Sequence, residues 1–228
     1  MTDCAFGIAG KDWVIIAADS HVEQSIVKFK TTEDKIYEMD NNKLVAGSNN
    51  KTNNNNNNRY HHHHHDLLLL AAGPQADSNQ FLEFISRNVE LYALVNGVQL
   101  TTHALASFTR NELADALRKG PYQVNMLIGG YDDKDGSASL YYMDYLASCQ
   151  KITRGAHGYA AYFVLGLLDK LYKKDMTQED GLDAIKQCIK VIVVLVDILI
   201  TSSSSSSYSF RSVRKGLSLT KVISSSKL

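Results

Sequence analysis

Near the start of the chain Phe6 and Ile8 alternate with small residues, Gly10-Lys11-Asp12 interrupts, and Trp13-Val14-Ile15-Ile16-Ala17-Ala18 runs unbroken into Asp19. Alternation marks a strand with one buried face, and a short unbroken apolar run marks a strand covered on both. Residues 3–19 therefore predict a β-hairpin, and further strands are expected at 25–30, 35–39 and 43–47. From Asp77 the period lengthens, because Phe81, Phe84, Ile85, Asn88, Val89 and Tyr92 fall on one helical stripe. Thr101 or Thr102 can cap a second helix carrying Leu105, Phe108, Glu112, Leu113 and Ala116. Strand patterns return at 124–131 and 140–144, across the polar turn Asp132-Asp133-Lys134-Asp135-Gly136. Two more helices are expected at 158–171 and 178–190, the latter capped by Thr177 with Leu182, Ile185 and Ile189 directed inward. The order is strands, two helices, strands, two helices.

Two stretches break this patterning. Residues 49–72 hold six asparagines at 53–58, five histidines at 61–65 and four leucines at 67–70. That bias reads as a low-complexity insert outside the core. Its removal would join Val45-Ala46-Gly47-Ser48 to Gly73-Pro74-Gln75. The tail from Thr201 opens on six serines at 202–207 and offers little that could pack. Just before it, residues 191–200 are apolar and β-branched, without a polar helical face, which favours a strand. The expected organisation is one domain over 1–200, interrupted at 49–72, with a divergent tail at 201–228.

Composition narrows the classes. The 228 residues balance 24 lysines and arginines against 24 aspartates and glutamates, so no net charge draws the chain to nucleic acid or an anionic membrane. Cys4, Cys149 and Cys188 lack the paired spacing of a zinc site, and one is left over from any disulfide scheme, which fits reduced thiols. No secretory signal is expected. The apolar run at 191–200 is about half a membrane span and carries Asp197. The histidines at 61–65 read as a solvated tract, not a metal site, and no cofactor is expected.

Several motifs occur in a telling order: Ala5-Phe6-Gly7-Ile8, Asp19-Ser20, Asp34-Lys35-Ile36, Asn88-Val89-Glu90-Leu91-Tyr92, Pro121-Tyr122-Gln123-Val124-Asn125, Gly129-Gly130-Tyr131-Asp132, Leu140-Tyr141-Tyr142-Met143-Asp144-Tyr145-Leu146 and Gly155-Ala156-His157-Gly158-Tyr159. Together they resemble the β-type subunits of the 20S proteasome core, over residues 3–48 and 73–190. The resemblance implies an α+β fold, the four-layer αββα sandwich of the N-terminal-nucleophile hydrolases, in agreement with the element order. It also implies a place in a seven-membered β ring, against an opposing β ring and flanking α-ring subunits, in cytoplasm and nucleus.

Active members of that family attack a peptide carbonyl with the hydroxyl of an N-terminal threonine, whose own amine is the base; such an amine titrates near pH 8 when unperturbed. By resemblance Asp19 and Lys35 match the family's site aspartate and lysine, with their separation of sixteen residues, and Gly47 matches its oxyanion-hole glycine. Alignment on Ala5-Phe6 places Met1 at the nucleophile, where a thioether cannot serve. Tyr159 stands in place of a family serine, and Leu195-Val196-Asp197-Ile198 replaces a stretch bearing serine and glycines. The expectation is a structural, non-catalytic subunit with vestigial Asp19, Lys35 and Gly47. The alternative is an active peptidase using Thr2 after removal of Met1. His157 is read as a hydrogen-bonded loop residue and Cys4 as a small core residue.

Overall fold

Backbone amides inside an apolar core must pair with one another, and here they do so in two antiparallel sheets. The computed structural model describes residues 4–20, 22–24, 27–30, 35–39, 65–132, 135–199, 207–214 and 217–224. The strands are β1 (Cys4–Ala9), β2 (Trp13–Asp19), β3 (Val22–Gln24), β4 (Val27–Lys30), β5 (Ile36–Met39) and β6 (His65–Ala72), then β7 (Asn125–Asp132), β8 (Ser137–Met143), β9 (Cys149–Ile152), β10 (Arg154–Gly158), β11 (Ser207–Arg214) and β12 (Leu217–Ser224). The helices are α1 (Gln75–Asn96), α2 (Thr102–Ala116), α3 (Tyr159–Leu171) and α4 (Gln178–Leu199). One sheet runs β10-β1-β2-β11-β12 and the other β5-β6-β7-β8-β9, while β3 and β4 pair by themselves.

Strand alternation sorts the apolar residues into three layers of packing. Trp13, Ile15 and Ala17 of β2 join Phe6, Ile8 and the inner faces of α3 and α4. Val14, Ile16 and Ala18 face the other way and meet Leu68, Leu70, Leu127 and Leu140 between the sheets. Leu67, Leu69, Met126 and Ile128 pack under α1 and α2. Helices, sheet, sheet, helices: the four-layer sandwich is realised. At its centre the sheets approach so closely that a Cβ on Gly129 would lie 2.7 Å from Val14 Cγ1.

The helix ends follow the expected chemistry. Thr101 caps α2, its hydroxyl accepting from the Ala104 amide at 3.2 Å. Thr177 caps α4 reciprocally: its hydroxyl accepts from the Asp180 amide at 3.2 Å, and the Asp180 carboxylate accepts from the Thr177 amide at 3.0 Å. The Thr177 hydroxyl also donates to the Asp180 carboxylate at 2.8 Å, and this bond, with the one from the Thr177 amide, holds the Asp180 carboxyl below its usual range. Gly158 precedes α3 with φ 68° and ψ −149°, a conformation open essentially to glycine alone.

Three sequence expectations are corrected. Residues 67–72 are not part of an insert outside the core: Leu67, Leu68, Leu69 and Leu70 are fully buried, and β6 lies between β5 and β7 with Leu69 opposite Tyr37 and Ile128. Helices cover one face of this strand and the second sheet covers the other, which is why it carries apolar residues at every position. Residues 191–199 continue α4 and do not form a strand. β-Branched residues cost a helix only about half a kilocalorie each, whereas extending an existing helix adds a hydrogen bond per residue and here buries Ile192 beside Ile189. The tail, expected to offer little that could pack, supplies β11 and β12, and β11 pairs with β2 from Tyr208 opposite Asp19 to Arg214 opposite Trp13. Of the expected insert, residues 49–64 lie outside the described residues.

Candidate functional site

The hairpin register delivers a carboxylate to the start of the chain's first strand. Ala5 lies opposite Ala18, so the Cys4 amide reaches Asp19 at the end of β2 and donates to its Oδ1 at 2.9 Å. The other oxygen, Oδ2, accepts from Lys35 Nζ at 2.9 Å, just ahead of β5. Both side chains are only 11% exposed. A carboxylate held by a backbone amide and an ammonium makes two charge-assisted hydrogen bonds, and it orients the lysine rigidly. Such an ammonium can lower the pKa of a neighbouring hydroxyl or steady an anion. The pair is itself neither nucleophile nor base.

Asp19 and Lys35 are thus brought together, across sixteen residues of sequence. Met1, Thr2 and Gly47 lie outside the described residues. The strand expected at 43–47 also lies there; the strand that pairs with β5 is β6, and the glycine at its end is Gly73. A Cβ at Gly73 would stand 2.3 Å from the Gln123 carbonyl oxygen, so the backbone passes where no other residue fits. Sequence reading overlooked Gly73, although an apolar run of six ending in Gly-Pro was a strand signal of the kind that identified β2.

His157 belongs to β10, opposite Ala5, so it is a strand residue and not a loop one. It is buried, stacks on Tyr142 with ring centroids 4.1 Å apart, and meets the Met126 carbonyl through Nε2 at 2.9 Å. Because that partner can only accept, Nε2 carries the hydrogen. Burial pushes the imidazole down to about 4, against the weaker upward pull of the Met126 bond, so the ring is neutral near pH 7. Cys4 is buried in the helix-side core, as expected. Asp132, at the end of β7, accepts from the amide and hydroxyl of Thr102 at 2.9 and 3.1 Å and ties α2 to the sheet. Among the described residues no cluster could hold a metal ion, and no helix is long and apolar enough to cross a membrane.

Two packed antiparallel sheets between helix pairs, with a lysine–aspartate pair at the head of the first strand, define the architecture of an N-terminal-nucleophile hydrolase. A family model described as "Proteasome subunit" matches residues 46–198, and the chain belongs to that family. Within it the chain is similar to β subunits of type 2. "Proteasome subunit beta type-2" of Oryza sativa subsp. japonica is 44% identical over 190 residues, 83% of this chain and 78% of the relative. "Proteasome subunit beta type-2-A" of Arabidopsis thaliana is 43% identical over 187 residues, covering 82% and 79%. The type-2 subunit of Dictyostelium discoideum is 45% identical over 180 residues, covering 78% and 79%.

Proposed function

We propose that this chain is a non-catalytic β subunit of the 20S proteasome core, forming part of the wall of the proteolytic chamber. The observation that carries this reading is the identity of the residue before Cys4. Asp19 binds the Cys4 amide on one oxygen and Lys35 on the other, which favours the residue joined to the Cys4 nitrogen as the position that lysine would serve. The chain supplies Asp3 there, two residues after the Met1 expected from alignment. A carboxylate has no hydroxyl with which to attack a peptide. In an extended strand Thr2 would present its side chain to the face opposite that of residue 3. On this reading Asp19 and Lys35 persist as a structural pair, and Gly73, not Gly47, takes the position of the oxyanion glycine.

The subunit's work is then to bury its faces against neighbours: β subunits in a seven-membered ring, the opposing β ring and α-ring subunits, in cytoplasm and nucleus. The intact Asp19–Lys35 pair favours one rival, an active threonine peptidase using Thr2. Intact-mass measurement before and after treatment with an electrophile directed at N-terminal threonines separates them. The expected mass is unchanged; a covalent adduct mapped to Thr2 would install the rival.

A further inference from the structure

A groove of about 690 Å³ runs between one face of α2 and the turn joining β8 to β9. His103, Ala106, Ser107 and Arg110 form its helical wall, at the three- and four-residue spacings that share one face. Residues 147–151 form the other wall, and Tyr141 contributes from β8. The turn is firmly built. The Asp144 carboxylate accepts from the amides of Leu146 at 3.0 Å and Ser148 at 2.9 Å, and Ala147 is held at φ 61°, where a residue with a Cβ rarely sits.

The charge on the groove is one-sided. Arg110 and Lys151 stand on opposite walls, no carboxylate lines the space, and among the described residues neither cation has an ion-pair partner. The small Ala106 and Ala147 leave depth between them. None of these residues belongs to the Asp19–Lys35 site. The volume falls within the range of about 300–1,000 Å³ that suits sizeable ligands and is far more than one phosphate fills. We infer that this groove docks an extended acidic polypeptide segment, whose carboxylates pair with Arg110 and Lys151 while Ser107 offers a hydrogen bond; the Tyr141 hydroxyl is already engaged by His103 Nδ1 at 3.2 Å and serves as wall. Arginine's planar fork suits a carboxylate, and cations on both facing walls favour a segment with carboxylates on both of its sides. The assignment does not depend on whether the chain is catalytic.

Cys149 lies in the groove and is the one cysteine of three that is not buried, which makes it a reporter. The purified full-length chain is treated with a maleimide-bearing (Glu-Gly)4 peptide or its (Gln-Gly)4 counterpart, and labelling of Cys149 is timed by peptide mapping. The acidic peptide is expected to label about ten-fold faster, an advantage that 0.5 M salt removes, since exposed charges are screened within a few ångströms there. The Arg110→Ser/Lys151→Ser double variant should react at equal rates with the two peptides. Because Arg110 pulls the Cys149 thiol pKa down against the larger upward push of burial, both rates fall together in the variant, so the ratio of rates is the readout. An unchanged circular dichroism spectrum shows that the fold is intact. Equal rates for the two peptides in the parent, or an advantage that survives the double substitution, would overturn the assignment. So would stronger protection of Cys149 by decauridine RNA than by unlabelled acidic peptide at equal concentration.

Discussion

If the Asp19–Lys35 pair has been kept for structure alone, its removal must cost stability in the absence of any substrate. At 2.9 Å, and with an effective dielectric of about 20, two unit charges attract by about 6 kcal/mol before desolvation is subtracted. Hydrogen bonds to charged groups retain about 1.5–3 kcal/mol each after that subtraction. Asp19→Ala removes two of them, one from Lys35 and one from the Cys4 amide, so a loss of about 4 kcal/mol is expected. Lys35→Met keeps the apolar stem and removes the bond to Asp19, for a loss of about 2 kcal/mol. The double variant should lose little more than Asp19→Ala, leaving a coupling of about 1–2 kcal/mol. Trp13 is the single tryptophan and is 1% exposed, so its fluorescence follows urea unfolding of the core directly. With a slope of about 2 kcal/mol per molar, the Asp19→Ala midpoint should fall by about 2 M. Single losses under about 0.5 kcal/mol that add without coupling would refute a structural role for the pair.

Leu69→Ala should destabilise by about 3 kcal/mol, the usual cost of a cavity at a fully buried leucine, by the same urea assay. A loss below about 0.5 kcal/mol would return this stretch to the low-complexity insert. His157 should make stability depend on pH. Its folded value of about 4 lies below the ordinary 6.5, so between these the unfolded chain binds more protons and stability declines as pH falls. The full effect, about 3 kcal/mol, is absent above pH 6.5 and complete below pH 4. His157→Gln, which retains a donor for Met126, should flatten this part of the profile relative to the parent; superimposable profiles would remove His157 as the cause.

Local pattern reached far into this chain. The β1–β2 hairpin, the four helices and the caps at Thr101 and Thr177 were legible because each depends on side-chain period or on a hydroxyl near an amide a few residues away. The β9 and β10 strands were not, since Cys149–Ile152 and Arg154–Gly158 are short and lack clean alternation; they are strands because β8 and β1 offer them partners. Leu67–Leu70 was misjudged through its neighbours: a histidine tract beside it suggested low complexity, while the deciding fact, a covering layer on each face, is absent from local sequence. Residues 191–199 were misjudged for the opposite reason, because β propensity of tenths of a kilocalorie was weighed without the helix already running into them.

For the site, sequence alone determined the chemical inventory: an aspartate and a lysine sixteen residues apart, and no hydroxyl at position 3. Only the tertiary structure decided what these residues are to one another. Hydrogen bonds are directional and reach about 3 Å. Whether Asp19 meets Lys35 and the Cys4 amide is therefore set by the hairpin register and by where β5 enters its sheet, which are relations between strands and not properties of any segment.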